Sequence, residues 1–123
     1  MQTDAFVVRH RENATPERLA NHSKRAAVLN AGDGNHAHPT QGLLDALTIR
    51  DRHPDFGRLK VTLCGDIRHS RVARSDIHML TALGAGEIRL SGPAALLPTA
   101  DEFPNCQIIG DFDEALADSD VLI

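Results

Sequence analysis

The sequence predicts an α/β fold made of parts of two parallel-sheet domains joined by one bridging helix. Two observations carry that reading. Short apolar runs alternate with segments that begin on helix-start signals, the arrangement that covers both faces of a parallel sheet with helices. The alternation pauses over residues 52–58 and then restarts, which divides the chain into residues 1–52 and 57–123.

The first run, Ala5-Phe6-Val7-Val8, ends on Arg9-His10 and reads as a buried strand with charge at its carboxyl end. Thr15-Pro16-Glu17 then starts a helix, with Thr15 as its cap and Pro16 at the first position. Ala26-Ala27-Val28-Leu29-Asn30 is a second buried strand, and Gly32 and Gly34 turn the chain toward Pro39. Pro is favoured at the first helical position, where its missing N–H has no partner to lose, so His38 becomes the N-cap and Gln41 falls in the first turn. Leu43, Leu44 and Leu47, with Ala46, line one side of this helix, which stops before His53-Pro54. Beyond the pause, residues 60–64 form a strand, Gly65-Asp66 a turn and residues 70–83 a helix. Residues 87–90 form the next strand, closed by Gly92-Pro93, and residues 106–109 another. A short helix over residues 113–116 and a strand starting at Val121 complete the pattern. A strand that starts so near the last residue suggests that the chain is the middle of something larger.

Composition narrows the class. The chain has 123 residues, the size of one domain, with an apolar fraction of 41% and four Phe but no Trp or Tyr. Its core must come from Leu, Ile, Val and Ala. A formal charge of −4, with no basic cluster interleaved with aromatics, argues against nucleic acid as a partner. Cys64 and Cys106 both fall in apolar strand segments and read as reduced, buried thiols of a cytoplasmic protein. The first twenty residues are too charged for a signal peptide, and no apolar run reaches membrane-spanning length.

Ligands of parallel α/β sheets bind beyond the carboxyl ends of the strands, and the polar residues of interest collect there. Arg9 follows the first strand, His38 and Gln41 the second, and Asp66, Arg68, His69, Ser70 and Arg71 the strand of the second unit. Unpaired N–H groups at the start of the Pro39 helix suit an anionic or carbonyl-bearing small molecule. Guanidinium groups clamp carboxylate or phosphate with paired hydrogen bonds. Each residue alone has a plainer reading, His38 as a helix cap and either arginine as a solvated surface residue. Their convergence at one edge favours a binding site. His36 and His38 with Asp33 are weak as a metal site, and no metal is expected. The turn after residue 64 has one glycine where a dinucleotide-binding fingerprint needs three, so no such cofactor is expected.

Arg9-His10, then Asn30-Ala31-Gly32-Asp33-Gly34 with His38-Pro39-Thr40-Gln41, then Gly65-Asp66-Ile67-Arg68-His69-Ser70-Arg71-Val72-Ala73-Arg74-Ser75, resemble the catalytic chain of the aspartate carbamoyltransferase family in letters, order and spacing. The His-Pro-x-Gln block also occurs in ornithine carbamoyltransferases. The block around Arg71 selects the aspartate branch. The resemblance implies a carbamoyl-phosphate domain and an aspartate domain, a cytoplasmic homotrimer with sites shared between neighbours, and room for association with other subunits. It implies transfer of the carbamoyl group of carbamoyl phosphate to L-aspartate, on the way to pyrimidines, without a cofactor. It assigns Arg9, His38 and Gln41 to carbamoyl phosphate, with His38 catalytic at the carbonyl oxygen, and Arg71 to a carboxylate of aspartate. The family's Ser-Thr-Arg-Thr phosphate loop, the Ser and Lys lent by a neighbouring subunit, and a downstream Arg-Val-Gln segment have no counterpart in these residues. Two alternatives follow: a non-catalytic fragment or pseudoenzyme that keeps only ligand-binding or assembly surfaces, and an ornithine-type carbamoyltransferase.

Overall fold

The computed structural model describes residues 3–123. Two parallel sheets organise the chain, in the element order that the alternation predicts. The first sheet has two strands, β1 (Ala5–His10) and β2 (Ala27–Asp33), linked through α1 (Thr15–His22). The second has four, in the order β5-β4-β3-β6: β3 (Lys60–Cys64), β4 (Glu87–Ser91), β5 (Gln107–Ile108) and β6 (Val121–Leu122). α2 (Pro39–Arg52) leads from the first sheet to the second, α3 (Arg71–Ala82) connects β3 to β4, and α4 (Phe112–Leu116) precedes β6.

The second sheet is well cored. Val61, Leu63, Ile88 and Leu90 of its central strands are packed out of water against Ile77 and Leu80 of α3, with Phe56, Leu59, Leu97 and Phe103 closing the cluster. β3 lies centrally because its run Val-Thr-Leu is apolar or internally satisfied on both faces. Thr62, the polar residue in that run, donates its hydroxyl to the Ala115 carbonyl at 2.8 Å. Ser70 caps α3 through its side chain, accepting from the Ala73 amide, and Asp111 caps α4 in the same way.

The first sheet departs from expectation. Its strands were predicted to be buried, yet Val7 is 73% exposed, and Phe6 and Leu29 also face outward. Two strands bordered by one eight-residue helix leave too little described chain to cover both faces. The apolar line on α2 is corrected for the same reason: Leu43, Leu44 and Leu47 are exposed, while Gly42, Ala46 and Ile49 face the protein. α1 is capped by Ala14, in the left-handed region at φ 63°, and not by Thr15. The Thr15 hydroxyl donates instead to the Glu12 carbonyl at 3.0 Å, and Pro16 sits in the first turn. The thiols are not both buried: Cys64 is exposed and Cys106 partly so. Cys64 ends β3 at the carboxyl edge of the sheet, where the burial of the strand gives way to solvent.

Candidate active site

The site is built where β1 and β2 end and α2 and α3 begin. β1 and β2 run in register from Ala5 opposite Ala27 to Val8 opposite Asn30, after which the register shifts and His10 pairs with Asp33. That bulge falls at Arg9 and gives β2 one extra residue, which bends the strand and re-aims its side chains. Gly32 sits inside it at φ 137°. A side chain at this position would meet Arg9 Cγ at 3.2 Å and the Arg71 guanidinium at 3.4 Å, so the two arginines approach each other across a bare backbone.

The loop from β2 to α2 is tied at several points. Asn30 Oδ1 accepts from the Gly32 amide at 2.9 Å, and the Gly34 amide donates to the His10 carbonyl at 2.9 Å. Asn13 and Asn35 exchange a side-chain bond and a backbone bond. Two further bonds come from α3. Arg71 Nη1 donates to the Gly34 carbonyl at 2.9 Å, and Ser75 Oγ accepts from the His38 amide at 2.8 Å. Thus α3 of the second sheet holds the loop that carries the residues of the first.

His38 is the N-cap residue of α2, as its place before Pro39 predicts, but its side chain makes no capping bond. The imidazole is free for a ligand. Partial burial, followed by the Arg71 and Arg9 charges, lowers its pKa from the ordinary histidine value. The Thr40 hydroxyl lies 3.3 Å from its Nδ1. Gln41, one turn into α2, donates its amide nitrogen to both oxygens of Asp45, at 3.0 and 3.2 Å. That leaves the Gln41 carbonyl oxygen as the end available to a ligand. Arg9 and Arg71 thus meet at Gly32, both of their charges act on the His38 ring, and Gln41 follows His38 in the first turn of α2.

Other residues near the strand ends take structural partners. The His69 ring contacts Asp66 at 2.9 Å, and Arg74 pairs with Glu102 and lies over the Phe103 ring. The Asp33 carboxylate contacts the His36 ring at 3.0 Å. Among the described residues no three His, Cys, Asp or Glu gather closely enough to hold a metal ion. Sequence reading overlooked Ser75, Asp45 and Asp76. Ser75 lay inside the block already singled out, and Asp45 follows Gln41 at the i, i+4 spacing that brings helix side chains together. Asp76 falls on the apolar stripe of Ala73, Ile77 and Leu80, where an acid is out of place.

Known proteins resemble the chain in sequence and in fold. The profile of the aspartate/ornithine carbamoyltransferase, carbamoyl-P binding domain matches residues 1–51. The aspartate carbamoyltransferase catalytic subunits of Xanthomonas campestris pv. campestris strains B100 and 8004 are each 54% identical over 125 residues, covering 100% of this chain and 40% of the relative. The chain thus spans about two fifths of the length of these curated relatives. Aspartate transcarbamoylase from Trypanosoma cruzi, crystallised with aspartate and phosphate, superposes with a TM-score of 0.80 at 28% identity, over 97% of this chain and 43% of that one. The same enzyme with carbamoyl phosphate gives a TM-score of 0.79 at 28% identity, over 97% and 41%. Over its whole length the chain is therefore similar to aspartate carbamoyltransferase catalytic subunits, of which it spans a part.

Proposed function

We propose that the protein carrying this chain transfers the carbamoyl group of carbamoyl phosphate to L-aspartate, giving N-carbamoyl-L-aspartate and phosphate in pyrimidine biosynthesis. The observation that carries the reading is the approach of Arg9 and Arg71 across Gly32, with both of their charges acting on His38. In this reading residues 1–52 belong to the carbamoyl-phosphate half and residues 57–123 to the aspartate half.

The reaction needs the α-amino nitrogen of aspartate to attack the carbamoyl carbon. The carbonyl oxygen becomes an oxyanion, and the bond to the phosphate oxygen then breaks. A neutral imidazole that donates to that oxygen stabilises charge where it develops. His38 suits the role because burial and two guanidinium groups favour its neutral form. With the Thr40 hydroxyl donating to Nδ1, the proton resides on Nε2 and is available to the substrate. Arg9 neutralises the phosphate as it leaves, and the Gln41 carbonyl oxygen accepts from the carbamoyl amide. Arg71 exchanges its bond with the Gly34 carbonyl for a carboxylate of aspartate, a stronger acceptor. A cytoplasmic homotrimer, in which neighbours cover the outward apolar residues of β1 and β2, belongs to the same reading, as does association with other subunits. Similarity to relatives named as catalytic subunits supports an assembly of several chains. No described helix is long and apolar enough to cross a membrane.

The test is steady-state kinetics on the intact protein. Carbamoyl aspartate forms from carbamoyl phosphate and aspartate, and Arg71→Ala raises the aspartate KM far more than the carbamoyl phosphate KM. Losing one partner of a charge-assisted clamp costs on the order of 2–5 kcal/mol. Equal damage to both substrates overturns the Arg71 assignment. Preference for ornithine over aspartate establishes the ornithine-type reading, and binding of carbamoyl phosphate without turnover establishes the non-catalytic one.

A further inference from the structure

Asp76 is fully buried on α3, and neither of its carboxylate oxygens meets a hydrogen-bond donor among the described residues. It faces α2. A methyl group on Gly42 would stand 3.5 Å from Asp76 Oδ1 and 3.3 Å from the Ser75 carbonyl oxygen, so the two helices approach closely at this point. Asp45 stands one helical turn beyond Gly42 on the same side of α2, its carboxylate is the charge that acts on Asp76, and it receives both bonds from the Gln41 amide. An ionised Asp76 would put two anions together in a site without a counter-charge, which burial forbids. A protonated Asp76 has what the pair lacks, an O–H to give to Asp45.

We propose that Asp76 is a positioning residue for carbamoyl phosphate: its protonated carboxyl donates to Asp45, and Asp45 in turn fixes the Gln41 amide with its nitrogen inward and its oxygen toward the substrate. The chain of bonds is Asp76 O–H to Asp45, and Gln41 N–H to Asp45, so one carboxylate is held from both sides. With its nitrogen turned to Asp45, Gln41 presents its carbonyl oxygen on the other side as an acceptor, which suits a carbamoyl NH2. Burial first, and the Asp45 charge second, push the Asp76 carboxyl up to about 7, so the donor is in place below that pH and withdrawn above it. The other titratable groups of the two packed helices are engaged elsewhere. On α3, Arg71 bonds to the Gly34 carbonyl, Arg74 pairs with Glu102, and His78 is exposed against the Phe103 ring. On α2, Arg50, Asp51 and Arg52 lie in the exposed last turn. His38, at the start of α2, faces Arg9 and Arg71.

The proposal rests on the reading of Gln41 as a carbamoyl-phosphate ligand, and the experiment separates the two. In the intact protein, the ratio of the wild-type carbamoyl phosphate KM to that of Asp76→Asn is measured from pH 6 to 8.5, together with kcat. The asparagine keeps an N–H donor for Asp45 and does not titrate. The ratio rises about tenfold through pH 7, the size of one hydrogen bond to a charged group, while the kcat ratio stays flat. A ratio independent of pH overturns the proposal. The second measurement needs no activity and no variant: NMR of the wild-type protein follows the Asp76 carboxyl carbon and the Gln41 side-chain amide. Both shift with one midpoint near neutral pH. An Asp76 carbon that titrates in the ordinary carboxylate range, or a Gln41 amide indifferent to it, overturns the proposal even if Asp76→Asn fails to fold. Absence of carbamoyl transfer alongside a shared midpoint overturns the substrate reading of Gln41 and leaves the carboxyl pair standing.

Discussion

The two sheets differ in how they hold their residues, and the difference explains how the site is organised. The second sheet has central strands with water excluded on both faces and a helix capped by Ser70. The first has two strands with outward apolar side chains and a helix whose cap is an alanine in the left-handed region. Three of the four proposed substrate residues, Arg9, His38 and Gln41, belong to the less enclosed part. Their loop is made definite by α3 of the better-packed part, through Arg71 and Ser75. The better-packed part anchors the loop and contributes Arg71, and the open part contributes the other three.

The largest expected effect comes from testing these residues by themselves, where nothing further covers the open part. The 123 residues, expressed by themselves, are expected to form no measurable carbamoyl aspartate and to associate through the outward faces of β1 and β2. Turnover comparable to that of an intact family enzyme would break the comparison, because it would show that the first sheet needs nothing more. His38→Ala in the intact protein lowers kcat by roughly 10²–10³-fold with a smaller loss of carbamoyl phosphate affinity. An unchanged kcat reduces His38 to a helix cap.

Stability sharpens the contrast. Leu80→Ala, in the core under β3, costs about 2–5 kcal/mol in chemical denaturation, whereas Leu43→Ala on exposed α2 costs about 0.5 kcal/mol or less in the same chain. Comparable losses would mean that α2 is covered in solution. Asp76 adds a pH signature. Its native pKa of about 7 exceeds the ordinary carboxylate value, so its contribution is fully present at low pH and lost as pH rises toward and through 7. Asp76→Asn is therefore more stabilising at pH 8 than at pH 4, by on the order of a few kcal/mol, read from urea midpoints at the two pH values. The smallest effect concerns the thiols. Cys64 is exposed, while burial pushes the Cys106 thiol up to about 11, so a thiol reagent at pH 8 modifies Cys64 first.

Much of this was legible in the residues themselves. Pro39 placed His38 at the helix cap, and Lys60 to Cys64 formed the strand that its mostly apolar, β-branched run indicates. Strands and helices are local patterns, and so are the signals for them. Burial is a property of neighbours, which is why Val7 and Leu43 looked like core and are not. The bulge at Arg9 depends on pairing with a second strand and had no mark beyond Gly32. Asp76 had a mark, an acid in an apolar stripe, but its meaning required Asp45 across the helix interface.

Gly32 carries a consequence for how such a site can change. One hydrogen atom stands where any other residue would put a carbon between Arg9 and Arg71. Mutation can replace either arginine independently and thereby alter which anion is preferred. The separation of the two positive charges is instead encoded by a single codon, because any side chain at that φ strains the strand and wedges both arginines at once. Ligand chemistry here is free to drift, while ligand length is locked.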